Sequence, residues 1–195
     1  MITETLEATA EFSGREELVS RLDEAVQRAS LGEVTTAVRN TLSELIRTGA
    51  LKLPEAVKRP CSEHYARRLL YRSPDHQYTV IAMVWGPRQG TPLHDHAGVW
   101  CVEGVLEGEI DVTQYGLVEE EENRFHFEPL GTVRAGIGTS GSLIPPFEYH
   151  TIANARSDAS SVTIHVYGQE LDHCTIFDGG AGGWYGRQTK SLYYH

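Results

Sequence analysis

Two histidines separated by one residue, His94 and His96, are the side chains of this sequence best suited to chemistry. Residues at i and i+2 of a β-strand point to the same face, so both imidazoles can reach one metal ion. A third candidate, His150, follows a proline-rich turn at the start of another predicted strand. Neutral imidazole suits iron, zinc, copper and nickel, and the spacing does not select among them. The pattern predicts a metal site with three nitrogen ligands.

The segment before residue 61 must form a helical layer, because its apolar residues follow helical spacing. Ser13 and Glu16 predict a capping box ahead of a first helix. Apolar residues spaced from Val34 to Ile46 predict a second helix, which Gly49 is expected to end. Residues 53–57 are expected to form a short turn.

The rest of the chain predicts β-structure, since short apolar runs alternate there with glycine, proline, asparagine and aspartate. The runs are ARRLLYR, YTVIAMVW, WCVEGVLEGEIDVTQY, FHFEPLGTVRA, GSLIPP, HTIAN and SVTIHVYG. Many short strands with frequent turns are typical of a sandwich or barrel. We therefore predict a mainly β protein in one domain, residues 1–195, with a helical layer (1–60) packed on a β-barrel (61–195).

The composition restricts the partners of the protein. A formal net charge of -10 argues against nucleic acid or an anionic membrane surface as a partner. No apolar run approaches the roughly 18 residues that span a bilayer, and the first residues lack a signal-peptide pattern. Three widely spaced cysteines do not form a disulfide framework. We expect a cytoplasmic protein, a monomer or small homo-oligomer, that binds a small molecule.

Several short segments between residues 65 and 178 resemble, in order and spacing, the cysteine dioxygenase type I family of the cupin superfamily. They are Tyr65-Ala66-Arg67, Trp85-Gly86, His94-Asp95-His96, Cys101, Leu106-Glu107-Gly108, His150, TIHVY (163–167) and LDHCTIFD (171–178). In most cupins a glutamate completes the metal site, and Cys101 stands at that position here. A metal without this carboxylate keeps open positions for substrate, which favours chemistry at the metal over a structural role.

The resemblance implies a cupin β-barrel and an Fe(II)-dependent thiol dioxygenase. Such an enzyme adds both atoms of its co-substrate O2 to the sulfur of a small carboxylate-bearing thiol, here L-cysteine, to give cysteine sulfinate. His94, His96 and His150 match the Fe(II) ligands of the family. Tyr167 matches the tyrosine whose hydroxyl approaches the substrate, and His165 matches the histidine that orients it.

The same resemblance implies the remaining site residues. Arg67 and Tyr65 match residues that hold the substrate carboxylate, and Trp85 matches a tryptophan of the pocket wall. Cys101 matches the cysteine that forms a thioether with the site tyrosine in animal members, whereas many bacterial members have glycine there. Two interpretations of Cys101 therefore stay open, a Cys101–Tyr167 thioether and a small buried apolar residue.

Two positions call for a physical comparison with the family. Thr163 stands where the family has a serine, and its hydroxyl can make the same hydrogen bond to His165. Arg67 and Arg68 are adjacent, and neighbours on a strand point to opposite faces, so only one should enter the pocket.

Other functions remain open at this point. Mercaptosuccinate has two carboxylates and would suit a pocket that uses a second cation such as Arg68. Enzymes for 3-mercaptopropionate resemble this chain less, since they usually carry glutamine at the position of Arg67. A non-catalytic metal-binding cupin, acting as a sensor, and a zinc hydrolase are the alternatives from other classes.

Overall fold

The computed structural model describes residues 11–76 and 78–195, and within them two α-helices precede eleven β-strands. The first ten residues, on which the expectation of no signal peptide rests, lie outside the described residues. The helices are α1 (Arg15–Ala25) and α2 (Leu31–Arg47). The strands are β1 (Ala66–Arg72), β2 (Thr79–Trp85), β3 (Leu93–His94), β4 (Cys101–Glu107), β5 (Glu109–Glu121), β6 (Arg124–Gly136), β7 (Ser140–Leu143), β8 (His150–Asn154), β9 (Ser161–Tyr167), β10 (His173–Ala181) and β11 (Trp184–Ser191).

The start of α1 differs from the sequence prediction. The capping box at Ser13 is wrong: Gly14 occupies the N-cap with φ of 83°, and no side chain caps this helix. Ser13 instead pairs with Lys52 in an isolated β-bridge. A glycine is required at position 14, because a Cβ there would lie 2.5 Å from the carbonyl oxygen of Ala50.

A capping box does occur, but it belongs to α2. The Ser30 hydroxyl accepts the N–H of Glu33 at 3.3 Å, and the Glu33 carboxylate accepts the N–H of Ser30 at 3.1 Å. These reciprocal bonds satisfy two N–H groups at the helix start. They explain why α2 begins at Leu31, before the apolar spacing that starts at Val34. Gly49 follows the end of α2 with φ of 72°, as predicted.

The strands form two antiparallel sheets. One has the order β1-β2-β9-β4-β7, and the other closes in the order β10-β11-β6-β5-β8-β3. The long predicted run 100–115 is divided into β4 and β5 at Gly108, whose φ is 75° and where a Cβ would clash with the Ser161 hydroxyl oxygen. β10 and β11 are absent from the predicted strand runs, because glycines interrupt their alternation.

The five-stranded sheet separates the helices from the barrel interior. On β2, Val80, Ala82 and Val84 share a core with α1 and α2, whereas Ile81 and Met83 belong to an interior cluster. This alternation follows from the period of two in a strand. The mainly β cupin fold with an N-terminal helical layer, predicted from the sequence, is confirmed.

Candidate functional site

Three histidines converge inside the barrel. His94 ends β3 and is paired across the sheet with His150, the first residue of β8. His96 lies two residues beyond the end of β3, so the two histidines do not share one strand as the spacing predicted. Each histidine still offers one ring nitrogen, and these three atoms lie within 4.8 Å of one another. One metal ion could therefore contact all three.

Asp95 holds the turn that brings His96 back to the other histidines. Its carboxylate accepts the N–H of Thr175 at 2.8 Å and the N–H of Ala97 at 3.0 Å. The backbone N–H of Asp95 also donates to the Thr175 carbonyl at 3.0 Å. No role for Asp95 follows from the sequence pattern alone. Its signal was an aspartate followed closely by Ala97-Gly98, a typical turn combination, and both residues have positive φ.

Hydrogen bonds fix the orientation of two imidazoles. His94 Nδ1 lies 3.1 Å from the Pro92 carbonyl, and His150 Nδ1 lies 2.7 Å from the Glu148 carbonyl. A carbonyl can only accept, so Nδ1 carries the proton in both rings and each Nε2 keeps its lone pair. His96 Nδ1 is buried and has no hydrogen-bond partner within the described residues.

Burial keeps the three imidazoles neutral. It lowers the pKa of His94 to about 4 and the pKa of His96 and His150 well below the ordinary value. Metal binding needs the neutral ring, so none of the three has to lose a proton first at neutral pH. The donor set, the tautomers and the burial all fit a three-nitrogen metal site.

A chain of polar contacts leads away from these histidines along β9. Trp85 Nε1–H donates to the Thr163 hydroxyl at 2.9 Å, and this hydroxyl lies 2.8 Å from His165 Nε2. His165 Nδ1 lies 3.4 Å from the Tyr167 hydroxyl. The Tyr167 ring in turn contacts the His96 ring edge-on, with centroids 5.4 Å apart. The contact with His96 places Tyr167 beside the three histidines.

Replacing Thr163 by valine should destabilise the protein. The change leaves Trp85 Nε1–H and His165 Nε2 without the hydroxyl, and an unsatisfied buried polar group costs about 1–3 kcal/mol. We expect urea denaturation of Thr163→Val to show a loss of unfolding free energy in this range. Thr163→Ser keeps the hydroxyl and should lose clearly less unfolding free energy. Equal losses in the two variants would contradict the role given to the hydroxyl.

Cys101 lies beside Tyr167, because the two are paired residues of neighbouring strands β4 and β9. The Cys101 sulfur is 3.7 Å from His165 Nδ1. Burial raises the pKa of the Cys101 thiol well above its usual value, and the nearby Glu103 raises it further. The thiol is therefore neutral at neutral pH and lies next to the tyrosine that the sequence paired with it.

The two adjacent arginines point to opposite faces of β1. Arg67 is 3% exposed, and its Nη2 donates to the Leu171 carbonyl at 3.0 Å. Its Nη1 is buried and has no hydrogen-bond partner among the residues described. Arg68 is partly exposed and donates to the Arg59 carbonyl at 3.4 Å. Only Arg67 enters the interior, as strand alternation predicted.

Comparison with known proteins identifies the family. The family described as "Cysteine dioxygenase type I" matches residues 60–180, well over half of the sequence. The chain belongs to the cysteine dioxygenase type I family. It is 25% identical over 118 residues to cysteine dioxygenase type 1 of Rattus norvegicus, an alignment that covers 58% of this chain and 56% of the relative.

Other relatives of this cysteine dioxygenase family member are similarly distant. The human cysteine dioxygenase type 1 is 24% identical over 118 residues, covering 58% of this chain and 56% of its own. The chain therefore spans a little over half the length of these curated relatives. A solved structure, that of TT1209 from Thermus thermophilus, is similar with a TM-score of 0.44 and 18% identity. That alignment covers 60% of this chain and 93% of that one.

In this member of the cysteine dioxygenase family, the three histidines and Arg67 line one small cavity. The other lining residues are Tyr65, Met83, Thr91, Ile152, His165, Tyr167, Leu171, Cys174 and Leu192. Trp85 is not among them. Its ring packs against the Tyr65 ring with centroids 4.8 Å apart, so it supports the wall from behind.

Two features of this family member lie outside the sequence predictions for the site. Tyr194 places its ring 5.2 Å from the Arg67 guanidinium carbon, a cation–π contact that covers the arginine. Glu103 is buried close to His165, with 3.7 Å between its carboxylate and His165 Nδ1.

No helix in the part of the chain that the structure describes is long and apolar enough to cross a membrane.

Proposed function

We propose that this protein is an Fe(II)-dependent thiol dioxygenase that converts L-cysteine to cysteine sulfinate, with O2 as co-substrate. The observation that carries the proposal is the unpartnered Nη1 of buried Arg67, which lines the same cavity as the three histidines. A buried guanidinium nitrogen without a partner is suited to a carboxylate of the substrate. Family membership and the neutral three-histidine set support the same reaction.

The residues of the cavity have complementary tasks in this proposal. His94, His96 and His150 would hold Fe(II), which would supply open positions for the thiol and O2 and a lowered pKa of the thiol. Arg67 Nη1–H donates to the substrate carboxylate and so fixes the orientation of the sulfur. The Tyr167 hydroxyl, held by His165, donates a hydrogen bond to the oxygen atoms that are transferred.

Apolar side chains around this polar set would exclude water. Met83, Ile152, Leu171 and Leu192 line the cavity together with the histidines and Arg67. In such surroundings a charge-assisted hydrogen bond to a carboxylate is stronger than in water. Tyr65, whose pKa is raised chiefly by burial, keeps its proton and can donate to the same carboxylate.

The Cys101–Tyr167 pair should become covalently linked when the iron-loaded protein turns over. A bond would form between Cys101 Sγ and a Tyr167 ring carbon next to the hydroxyl, with loss of two hydrogen atoms to O2 as the oxidant. Peptide mass spectrometry after many turnovers should detect the linked peptides, lighter by two hydrogen atoms than their sum. Cys174→Ser should still form the link, whereas Cys101→Ser should not. Unlinked peptides after turnover would favour Cys101 as a plain buried apolar residue.

A panel of thiols tests the substrate assignment. We expect steady-state O2 uptake to be faster with cysteine than with 3-mercaptopropionate or mercaptosuccinate. Mercaptosuccinate is disfavoured because Arg68, the proposed second cation, points away from the cavity. Preference for either alternative thiol would reassign the substrate but keep the reaction.

The panel also separates the alternatives of other classes. A metal-binding sensor would bind iron and thiol without consuming O2. A zinc hydrolase would remain active in an anaerobic assay, where a dioxygenase stops. An absence of O2 uptake with every thiol, in protein shown to contain iron, would therefore overturn the proposed function.

A further inference from the structure

A second cavity reaches the barrel interior from another side. It lies among β4, β5, β6 and β7 and has a volume of about 250 Å³. One water needs roughly 10–15 Å³ of such space, so several can enter. Its wall is mainly apolar, and Val133, which is 68% exposed, also lines it. The cavity is thus continuous with solvent at one end.

Glu103 is buried and lines this cavity, next to open space that the opposite strand leaves. Its partner across β4 and β7 is Gly141, and a Cβ at that position would have no atom within 4 Å. Glu103 is 5% exposed, and its Oε2 has no hydrogen-bond partner within the described residues. A buried carboxylate oxygen without a partner is costly and calls for a functional explanation.

The carboxylate of Glu103 also faces the proposed active site. Its Oε2 lies 3.7 Å from His165 Nδ1, and the same nitrogen lies 3.4 Å from the Tyr167 hydroxyl. Tyr167 lines the cavity of the three histidines, and Glu103 lines the second cavity. His165 lines the cavity of the three histidines as well, so its Nδ1 connects that cavity with the carboxylate of Glu103.

We propose that Glu103, a positioning residue behind His165, receives the proton released by the reaction by way of His165 and passes it to the second cavity and so to solvent. This inference rests on the proposed function. The overall reaction is RSH + O2 → RSO2⁻ + H⁺, in which sulfur is oxidised and both oxygen atoms of O2 are reduced and bonded to it. One proton must therefore leave a buried site in every turnover.

The direction of transfer follows from the surroundings of the two groups. Burial lowers the pKa of His165 to about 3 and raises the pKa of Glu103 to about 7. An imidazolium formed at His165 would thus give its proton to the Glu103 carboxylate. The separation of 3.7 Å requires the side chains to approach, or one water to bridge them.

Few other charged or titratable groups surround Glu103. Cys101 lies on its own strand, His165 and Tyr167 face it from β9, and Arg134 of β6 lines the same cavity. Burial keeps Cys101 and Tyr167 protonated and uncharged at neutral pH. Arg134 is engaged by Asp111 through two hydrogen bonds of 2.9 and 2.8 Å. Glu103 is therefore the group of this set suited to accept a proton near neutral pH.

The variant Glu103→Gln tests the inference, since it keeps the shape and removes the proton acceptor. In iron-loaded protein we expect kcat to fall about tenfold, because water can still carry the proton away more slowly. This loss is smaller than the roughly 10²–10⁴-fold contribution of a side chain that transfers a proton directly to or from the substrate. KM for the thiol should not change. The wild-type kcat should rise with pH as the carboxyl loses its proton, and this rise should disappear in the variant. Glu103→Asp should restore part of kcat and part of its rise with pH.

Two further variants separate this role from a structural one. Glu107→Gln changes an exposed acid of the same strand and should leave kcat and the pH profile unchanged. Gly141→Val keeps Glu103 but places a side chain in the open space of the cavity that both residues line, and should lower kcat because water reaches the carboxyl more slowly. Wild-type kcat and pH profile in Glu103→Gln would overturn the inference.

Infrared titration of the metal-free protein gives a readout that does not depend on activity. We expect a protonated-carboxyl band that disappears as the pH rises through neutrality in the wild type and is absent from Glu103→Gln. If no such band distinguishes the two proteins, Glu103 does not hold a proton there and the inference fails. If the band is present but iron-loaded wild-type protein forms no sulfinate from any thiol, the proposed function fails instead, and the reaction-linked role fails with it.

Discussion

Replacing His96 by alanine is expected to abolish iron binding and sulfinate formation together. His96 is a buried member of a group of three neutral imidazoles whose ligand atoms lie within 4.8 Å of one another. Losing a hydrogen-bond partner of a metal-binding histidine alone costs about 10–100-fold in affinity or activity, and loss of the ligand should exceed this. Iron content by elemental analysis and sulfinate by mass spectrometry measure the two effects.

A matched histidine variant shows whether the effect belongs to the site. His76 lies outside the barrel interior, with its ring 3.8 Å from Asp23, and is not among the cavity residues. His76→Ala should keep both iron and activity. Sulfinate formation at the wild-type rate in His96→Ala would contradict the proposed metal site.

Replacing Arg67 by glutamine is expected to weaken the use of cysteine, whose carboxylate Arg67 is proposed to hold. The buried Nη1 is the group available for that carboxylate, and a hydrogen bond to a charged group contributes about 1.5–3 kcal/mol. kcat/KM for cysteine should therefore fall by roughly 10- to 150-fold. Cysteamine, which has the same thiol and amine but no carboxylate, should be oxidised at nearly the same low rate by both proteins.

The neighbouring arginine provides the control for this prediction. Arg68→Gln alters a side chain on the other face of β1 and should leave the oxidation of cysteine and of cysteamine unchanged. Steady-state kinetics with both thiols on the three proteins separates carboxylate recognition from general damage. An equal loss for cysteine and cysteamine in Arg67→Gln would show that Arg67 supports the structure and does not select the substrate.

Local patterns predicted much of this architecture. The strand alternation that separates Arg67 from Arg68, and the barrel with a helical layer, follow from periods that the sequence displays directly. The spacing of residue types was a less reliable predictor where tertiary contacts determine the local structure. Both Ser13 and Ser30 precede a glutamate by three residues, and only Ser30 forms the capping box, because Ser13 is drawn into a bridge with Lys52.

Contacts between distant strands explain what the sequence did not predict. His96 reaches the other histidines through a turn that Asp95 fastens to Thr175 on β10, and no local pattern contains that partner. The environment of Glu103 depends on Gly141, which lies on another strand. The sequence of β4, in which Glu103 is one of two acids, therefore did not indicate that Glu103 is buried beside His165.

Mass spectrometry of the product formed under isotopically labelled O2 tests the central claim most directly. The iron-loaded protein should convert cysteine to a sulfinate in which both added oxygen atoms carry the label. A product with one labelled oxygen or none, or oxidation that proceeds without O2, would contradict the assignment as a thiol dioxygenase.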